Sequence, residues 1–133
     1  MTNESKKIQS EISAGELLDK ISILEIKLDK IKDQGKKEEV KKEYNVLKKV
    51  QKSNIGKNQE VEKLFLKIKE INLTLWDIED KIRICEKQKD FGKTFISLAR
   101  NVYINNDKRA KIKSEINKLL GSNIKEVKKY TIY

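Results

Sequence analysis

The residues best equipped for chemistry lie together in one stretch, from Asn72 to Arg83. It contains the single Trp of the chain, Trp76, and one of only three arginines among 31 basic side chains. On a helix, Asn72, Trp76, Glu79 and Arg83 follow at intervals of four, three and four, which aligns them as one stripe. The apolar seam Leu64, Ile68, Ile71, Leu75, Ile78, Ile82 and Cys85 runs directly beside it. Polar groups set flush against a core seam become partly buried and need partners. The stripe therefore predicts a binding site, with an amide, an indole, a carboxylate and a guanidinium in reach of one ligand. The indole is expected to be mostly buried, its N–H bonded to a polar group.

Two acidic pairs also sit at helical spacing. Glu16 and Asp19, with Lys20 beside them, open one helix, and Glu79 and Asp80 lie midway along another. If those helices pack side by side, the four carboxylates would meet across a cleft and hold a hard ion such as magnesium or manganese. The same groups have structural roles open to them. Glu16 is the acid of a Ser13-Ala14-Gly15-Glu16 capping box, and Glu79 can pair with Arg83. The chain has no histidine, which excludes Ser-His and Cys-His nucleophile pairs and imidazole-bound zinc. Acid–base work would fall to Glu, Asp, Lys or Tyr. None of these motifs requires a cofactor. The single cysteine, Cys85, falls on the apolar seam; it reads as a buried structural thiol and fits a reducing cytoplasm.

Arg83, Arg100 and Arg109 stand among 28 lysines. Arginine kept at three places points to planar, two-pronged contacts with phosphate or carboxylate groups. Arg100 and Tyr103 share a helix face. Asn106-Asp107-Lys108-Arg109 reads as the opening of a further helix, whose free amides would join Arg109 in cradling an anion. The structural alternative is that each arginine clamps helices through Glu79, Asp80 or Asp107. The net charge of +10 is unevenly spread: basic side chains lead by four over residues 1–58 and by seven over residues 91–133, while acids lead by one between. An anion is thus drawn to the last third. Most lysines alternate with acids on outer faces, and the joint excess of Lys, Ile and Asn matches an AT-rich codon bias. Without arginine clusters or interleaved aromatics, nucleic acid is a weakly supported partner.

These groups need a helical frame, and the composition supplies one: no proline, five glycines and 39% charged residues. A chain of 133 residues makes one domain, residues 1–133, large enough for a core of its own. Residues 6–12 alternate as a short strand would. The Ser13 capping box starts a first helix from about Gly15 to Asp33, with the seam Leu17, Ile21, Leu24, Leu28 and Ile31. Ile23 and Ile26 lie off that seam, so more than one side should be covered. Gly35 breaks the pattern. A second helix spans about Lys36 to Lys52 with the narrow face Val40, Tyr44, Leu47 and Val50. After a turn over residues 53–58, a third runs from about Gln59 to Lys89, roughly 45 Å at 1.5 Å per residue.

Asp90-Phe91-Gly92 interrupts, and a fourth helix covers about Lys93 to Ile104. Asn105-Asn106-Asp107 forms a turn and cap, and a fifth helix spans about Lys108 to Leu120 before Gly121. The alternating tail Ile124 to Tyr133 is expected to pair with residues 6–12. The expected fold is mainly all-α: an antiparallel bundle of about five helices, with a short two-stranded β ribbon from the termini. No run of eighteen apolar residues suggests a membrane span. Glu4, Lys6, Lys7 and Glu11 leave no apolar core for a signal peptide, so a cytoplasmic location away from membranes is expected.

Three segments carry a resemblance. Gly15-Glu16-Leu17-Leu18-Asp19-Lys20-Ile21-Ser22-Ile23-Leu24-Glu25, Leu75-Trp76-Asp77-Ile78-Glu79-Asp80-Lys81-Ile82-Arg83 and the segment from Leu98 to Ala110 resemble the motifs of a family of small bacterial and phage domains of unknown function. The likeness runs from Ser13 to about Tyr130 and is least distinctive over the second helix. A related family shares the Asn-x-x-Leu-Trp-x-x-Glu-Asp-x-x-Arg pattern with His after the Trp, where this chain has Asp77. Both families often accompany glycosyltransferases and surface-polysaccharide genes, and no activity is established for either. The resemblance implies a setting and a set of motif residues, not a mechanism.

One reading unites these signals: a non-catalytic or accessory domain that binds a small anionic ligand, phosphate-bearing or nucleotide-sugar-like, in surface-polysaccharide biosynthesis. Its ligand-binding residues would be Lys20, Asn72, Trp76, Glu79, Arg83, Arg100, Tyr103, Asn106 and Arg109. A second reading is a magnesium-dependent, all-helical nucleotide phosphohydrolase with Glu16, Asp19, Glu79 and Asp80 as metal ligands. It ranks lower because two-metal hydrolysis needs several converging carboxylates, and the doubled Glu-x-x-Glu pattern is missing. A third is a scaffold bundle that docks a protein partner or forms a homodimer through the long third helix.

Overall fold

In the computed structural model, which describes residues 5–133, the chain forms four helices: α1 (Ala14–Lys30), α2 (Gln34–Asn54), α3 (Gln59–Gln88) and α4 (Lys93–Leu120). Three of the starts are set by local side chains. Ser13 Oγ accepts from the Glu16 N–H, Asp33 Oδ1 from Gly35, and Asn58 Oδ1 from Glu60 and Val61. Each side chain satisfies amides left free in a first helical turn. α3 and α4 end on the left-handed residues Lys89 and Gly121, whose N–H groups fold back onto the last turn.

α1 is the central element, packed against each of the other three, while α3 and α4 pair as a long hairpin. The core joins Leu17, Leu18 and Ile21 of α1 to Val61 of α3 and Ile116 of α4. Leu18 and Ile26 are as buried as the seam residues Leu17, Ile21 and Leu24, so α1 is covered on more than one side, as expected. α2 has no fully buried residue; Tyr44, Leu47 and Val50 on its narrow face lie half-buried against the core. The α3 seam continues through Ile68, Leu75, Ile78 and the buried thiol of Cys85. No helix among the described residues is long and apolar enough to cross a membrane.

Three expectations are corrected. The helices number four because α4 runs unbroken through Asn105, Asn106 and Asp107. Asn105 is buried there and its amide donates to the Asn101 carbonyl one turn back at 2.8 Å. Packing has overridden the turn preference of Asn, and the side chain is satisfied within the helix. Gly35 likewise does not break the chain: it sits in the first turn of α2, and the break falls at residues 31–33, where Asp33 caps the new helix.

The β ribbon is also absent; no strand occurs among the described residues, and Glu4 lies outside them. The two ends do meet, since the Asn123 amide donates to Glu11 at 2.8 Å and the Ala14 N–H to Ser122 Oγ at 3.2 Å. These are side-chain contacts rather than a ladder. Ile12 packs on the core, but Ile8, Val127 and Ile132 stay almost fully exposed, and two strands without a shared apolar face to bury do not hold together.

Candidate functional site

The site rests on a column of polar groups threaded between α1, α3 and α4. Gly15 brings the start of α1 close enough to α4 for its N–H to donate to Asn117 Oδ1 at 2.7 Å. One turn earlier on α4, Lys113 Nζ reaches Glu16 at 2.6 Å, Glu126 of the tail at 2.9 Å and Asp19 at 3.9 Å. Burial works to lower the pKa of Lys113, but hydrogen bonds to Glu126 and Glu16 and the charges of Glu16 and Asp19 outweigh it and hold it raised. Glu126 is lowered, chiefly by its hydrogen bond to Lys113. The capping box is thus only half made: Ser13 caps the Glu16 N–H, while the Glu16 carboxylate goes to Lys113. Sequence reasoning missed Lys113. The available signal was Arg109, Lys113 and Asn117 at intervals of four beside Ile112 and Ile116.

One turn further back on α4 the column reaches the motif residues. The Asn72 amide donates to Asp19 Oδ1 and to Ser22 Oγ, each at 2.8 Å. The Ser22 hydroxyl in turn donates to the Asp19 carbonyl at 2.7 Å. An ionised carboxylate only accepts, so Asp19 requires the nitrogen end of Asn72 to face α1. Asn72 Oδ1 is left facing α4, where Arg109 donates to it at 3.0 Å. Arg109 donates also to Asn106 Oδ1 at 2.8 Å. Both acceptors are neutral amides. Among the described residues no carboxylate comes within ion-pair distance of Arg109, so its charge is held in place without being neutralised.

Arg109 looks into a cleft of about 400 Å³ between α1 and the α3–α4 hairpin. Ile23, Ile26, Leu75 and the indole of Trp76 give it an apolar lining, and Asn72, Glu79, Asp80, Arg83 and Arg109 supply polar groups. All four residues of the Asn72–Arg83 stripe lie along it, with Asp80. Trp76 is only half-buried, and among the described residues no side-chain hydrogen bond engages its N–H. The expected deep burial fails because the indole lines an open cleft beside Ile23 and Ile26 instead of entering the core. Glu79 pairs with Arg83 on the open surface of α3, an arrangement that a ligand can displace at little cost.

The remaining expected residues disperse. Glu16 and Asp19 belong to Lys113, away from Glu79 and Asp80, and among the described residues no three Cys, Asp or Glu side chains converge as a metal site. Lys20 and Arg100 are exposed and line no part of the cleft. Tyr103 meets Tyr133 of the tail elsewhere on α4. Asn106 and Arg109 are mid-helix, so the anion cradle of free helix amides does not exist; Asn106 instead orients Arg109.

Residues 8–133 match the model of a family of unknown function (DUF6165), and the chain belongs to that family. No curated protein and no solved structure matches it.

Proposed function

We propose that this member of a family of unknown function is an accessory domain that binds a small anionic ligand, phosphate-bearing and of nucleotide-sugar type, in the α1–α3–α4 cleft. One observation carries the reading: Arg109 is fixed by two amides, paired with no carboxylate among the described residues, and open to the cleft. A guanidinium in that state retains both its charge and spare N–H donors for a phosphate or carboxylate. The half-buried Trp76 offers a flat apolar face for a base or sugar ring. Glu79 and Asp80 can accept from hydroxyls, and Arg83 adds a second cation once released from Glu79. A nucleotide sugar presents all three chemistries together, and the surface-polysaccharide setting implied by the motif resemblance supplies such molecules.

The test is a thermal-shift and tryptophan-fluorescence titration with UDP-glucose, UDP and inorganic phosphate, each with and without magnesium. Ligand at ten times its Kd should stabilise the fold by about 1.4 kcal/mol and alter Trp76 emission. Arg109→Gln should remove both responses. Stabilisation by metal alone together with phosphate release would favour the hydrolase, and silence from every ligand would favour a scaffold.

A further inference from the structure

The C-terminal tail folds back along α4 and builds a second recess, of about 480 Å³, around the helix from the cleft. Three tyrosines line it, beside Asn106, Asp107, Lys128 and Thr131. Tyr103 on α4 and Tyr133 of the tail meet edge to face, with ring centroids 5.5 Å apart and planes at 89°, and Tyr130 contributes a third ring. The Tyr133 hydroxyl donates to Asp107 Oδ2 and fixes this corner. Asp107 pairs with no Lys or Arg among the described residues, although the chain carries 31 of them. Lys128 lies at the same recess but is held toward Glu126 at 3.7 Å.

We infer that this recess binds a quaternary ammonium group. The faces of tyrosine rings are electron-rich and attract a weakly hydrated cation, and methyl groups on nitrogen gain apolar contact with the same rings. Asp107 supplies the opposing charge. A phosphate would meet ring faces and a carboxylate of its own sign, with only Lys128, already drawn toward Glu126, to answer it, and a neutral sugar would leave the Asp107 charge unanswered. The two sites thus take opposite charges, an anion at Arg109 and a cation at Asp107, and this assignment stands independently of the cleft reading.

The experiment is a two-dimensional amide NMR titration of the full chain with tetramethylammonium chloride, using sodium chloride at matched ionic strength as the blank. Tert-butanol serves as the neutral isostere. Saturating shifts at Tyr103, Asp107, Thr131 and Tyr133, with at least tenfold preference over tert-butanol, are expected. Asp107→Asn and Tyr103→Leu should each weaken binding tenfold or more while leaving the amide spectrum of α1 and α3 unchanged. Because Tyr103→Leu alters a half-exposed residue, it tests the recess without emptying the core. Free choline and phosphatidylcholine vesicles separate a soluble ligand from a lipid headgroup, and a response to either supports the assignment. Equal affinity for tert-butanol, or no shift with any of the ammonium probes, overturns it.

Discussion

Replacing Gly15 by alanine sets helix propensity against packing. Glycine inside a helix costs up to about 1 kcal/mol relative to alanine, so propensity alone makes Gly15→Ala stabilising. The surroundings argue the reverse. A Cβ built on Gly15 would stand 2.6 Å from the Lys113 carbonyl oxygen and 3.0 Å from both Asn117 Oδ1 and Lys113 Cα. A carbon and a carbonyl oxygen rest at roughly 3.3–3.6 Å, so α1 and α4 must part by roughly 0.7 Å or more. The first obstacle is backbone, which cannot swing aside as a side-chain tip would. Separation also stretches the 2.7 Å bond from Gly15 N–H to Asn117. Overpacking of this kind costs about 1–3 kcal/mol, and a weakened buried hydrogen bond adds about 1. After the propensity gain, a net loss of about 1–3 kcal/mol is expected. Urea denaturation measures it, with Gly35→Ala as the control. There the nearest atom is Asp33 Oδ1 at 3.6 Å, and a neutral to slightly stabilising result is expected. If Gly15→Ala matches or exceeds the wild type in stability, the close approach of α1 and α4 is wrong.

Asn72→Ala removes three hydrogen bonds, two of them to charged groups, and leaves the Asp19 carboxylate buried with only Lys113 at 3.9 Å; a loss of about 3 kcal/mol is expected, and a urea midpoint change equivalent to under about 1 kcal/mol would count against this network. Trp76→Ala, by contrast, should cost only about 1–2 kcal/mol because the indole is half-buried, while abolishing the response to UDP-glucose; a larger stability loss in thermal melts would return Trp76 to the core. The tail should release on acidification. The Glu126 pKa is lowered in the fold by Lys113, so its contribution is complete above the usual glutamate pKa and is lost as pH falls through the lowered one. The raised Lys113 keeps its charge throughout that window. Amide chemical shifts recorded between pH 6 and 3 should therefore show residues 122–133 moving toward random-coil values before α1, α3 and α4, with the step missing in Glu126→Gln; tail shifts that stay level over that range contradict anchoring by this pair.

Much of the frame could be read directly from the sequence because it depends on neighbours three and four residues apart. The α3 seam with its buried Cys85, the Ser13 cap, the turn before α3 and the stop before Phe91 are all local. So is the alignment of Asn72, Trp76, Glu79 and Arg83, which the structure keeps as one line of the cleft. What failed depended on distant residues. The Asn105-Asn106-Asp107 run has the composition of a turn, yet burial of Asn105 and its bond to Asn101 carry α4 straight through. The termini have the alternation of strands, yet of their apolar residues Ile12 reaches the core while Ile8, Val127 and Ile132 stay exposed, and Lys113 and Asp107 draw the tail along α4 instead.

The sequence by itself determined where α1, α2 and α3 run and which polar stripe lies against the core, since periodicity and capping act within a few residues. Only the tertiary structure decided which side chains partner across helices. Glu16 and Asp19 turn to Lys113, about a hundred positions away along the chain for Glu16, rather than to Glu79 and Asp80. Arg109 receives two neutral amides and keeps its charge. A side chain's partner is fixed by the electrostatic and steric fit of helices brought together in space, and no spacing along the chain encodes the angle at which they meet.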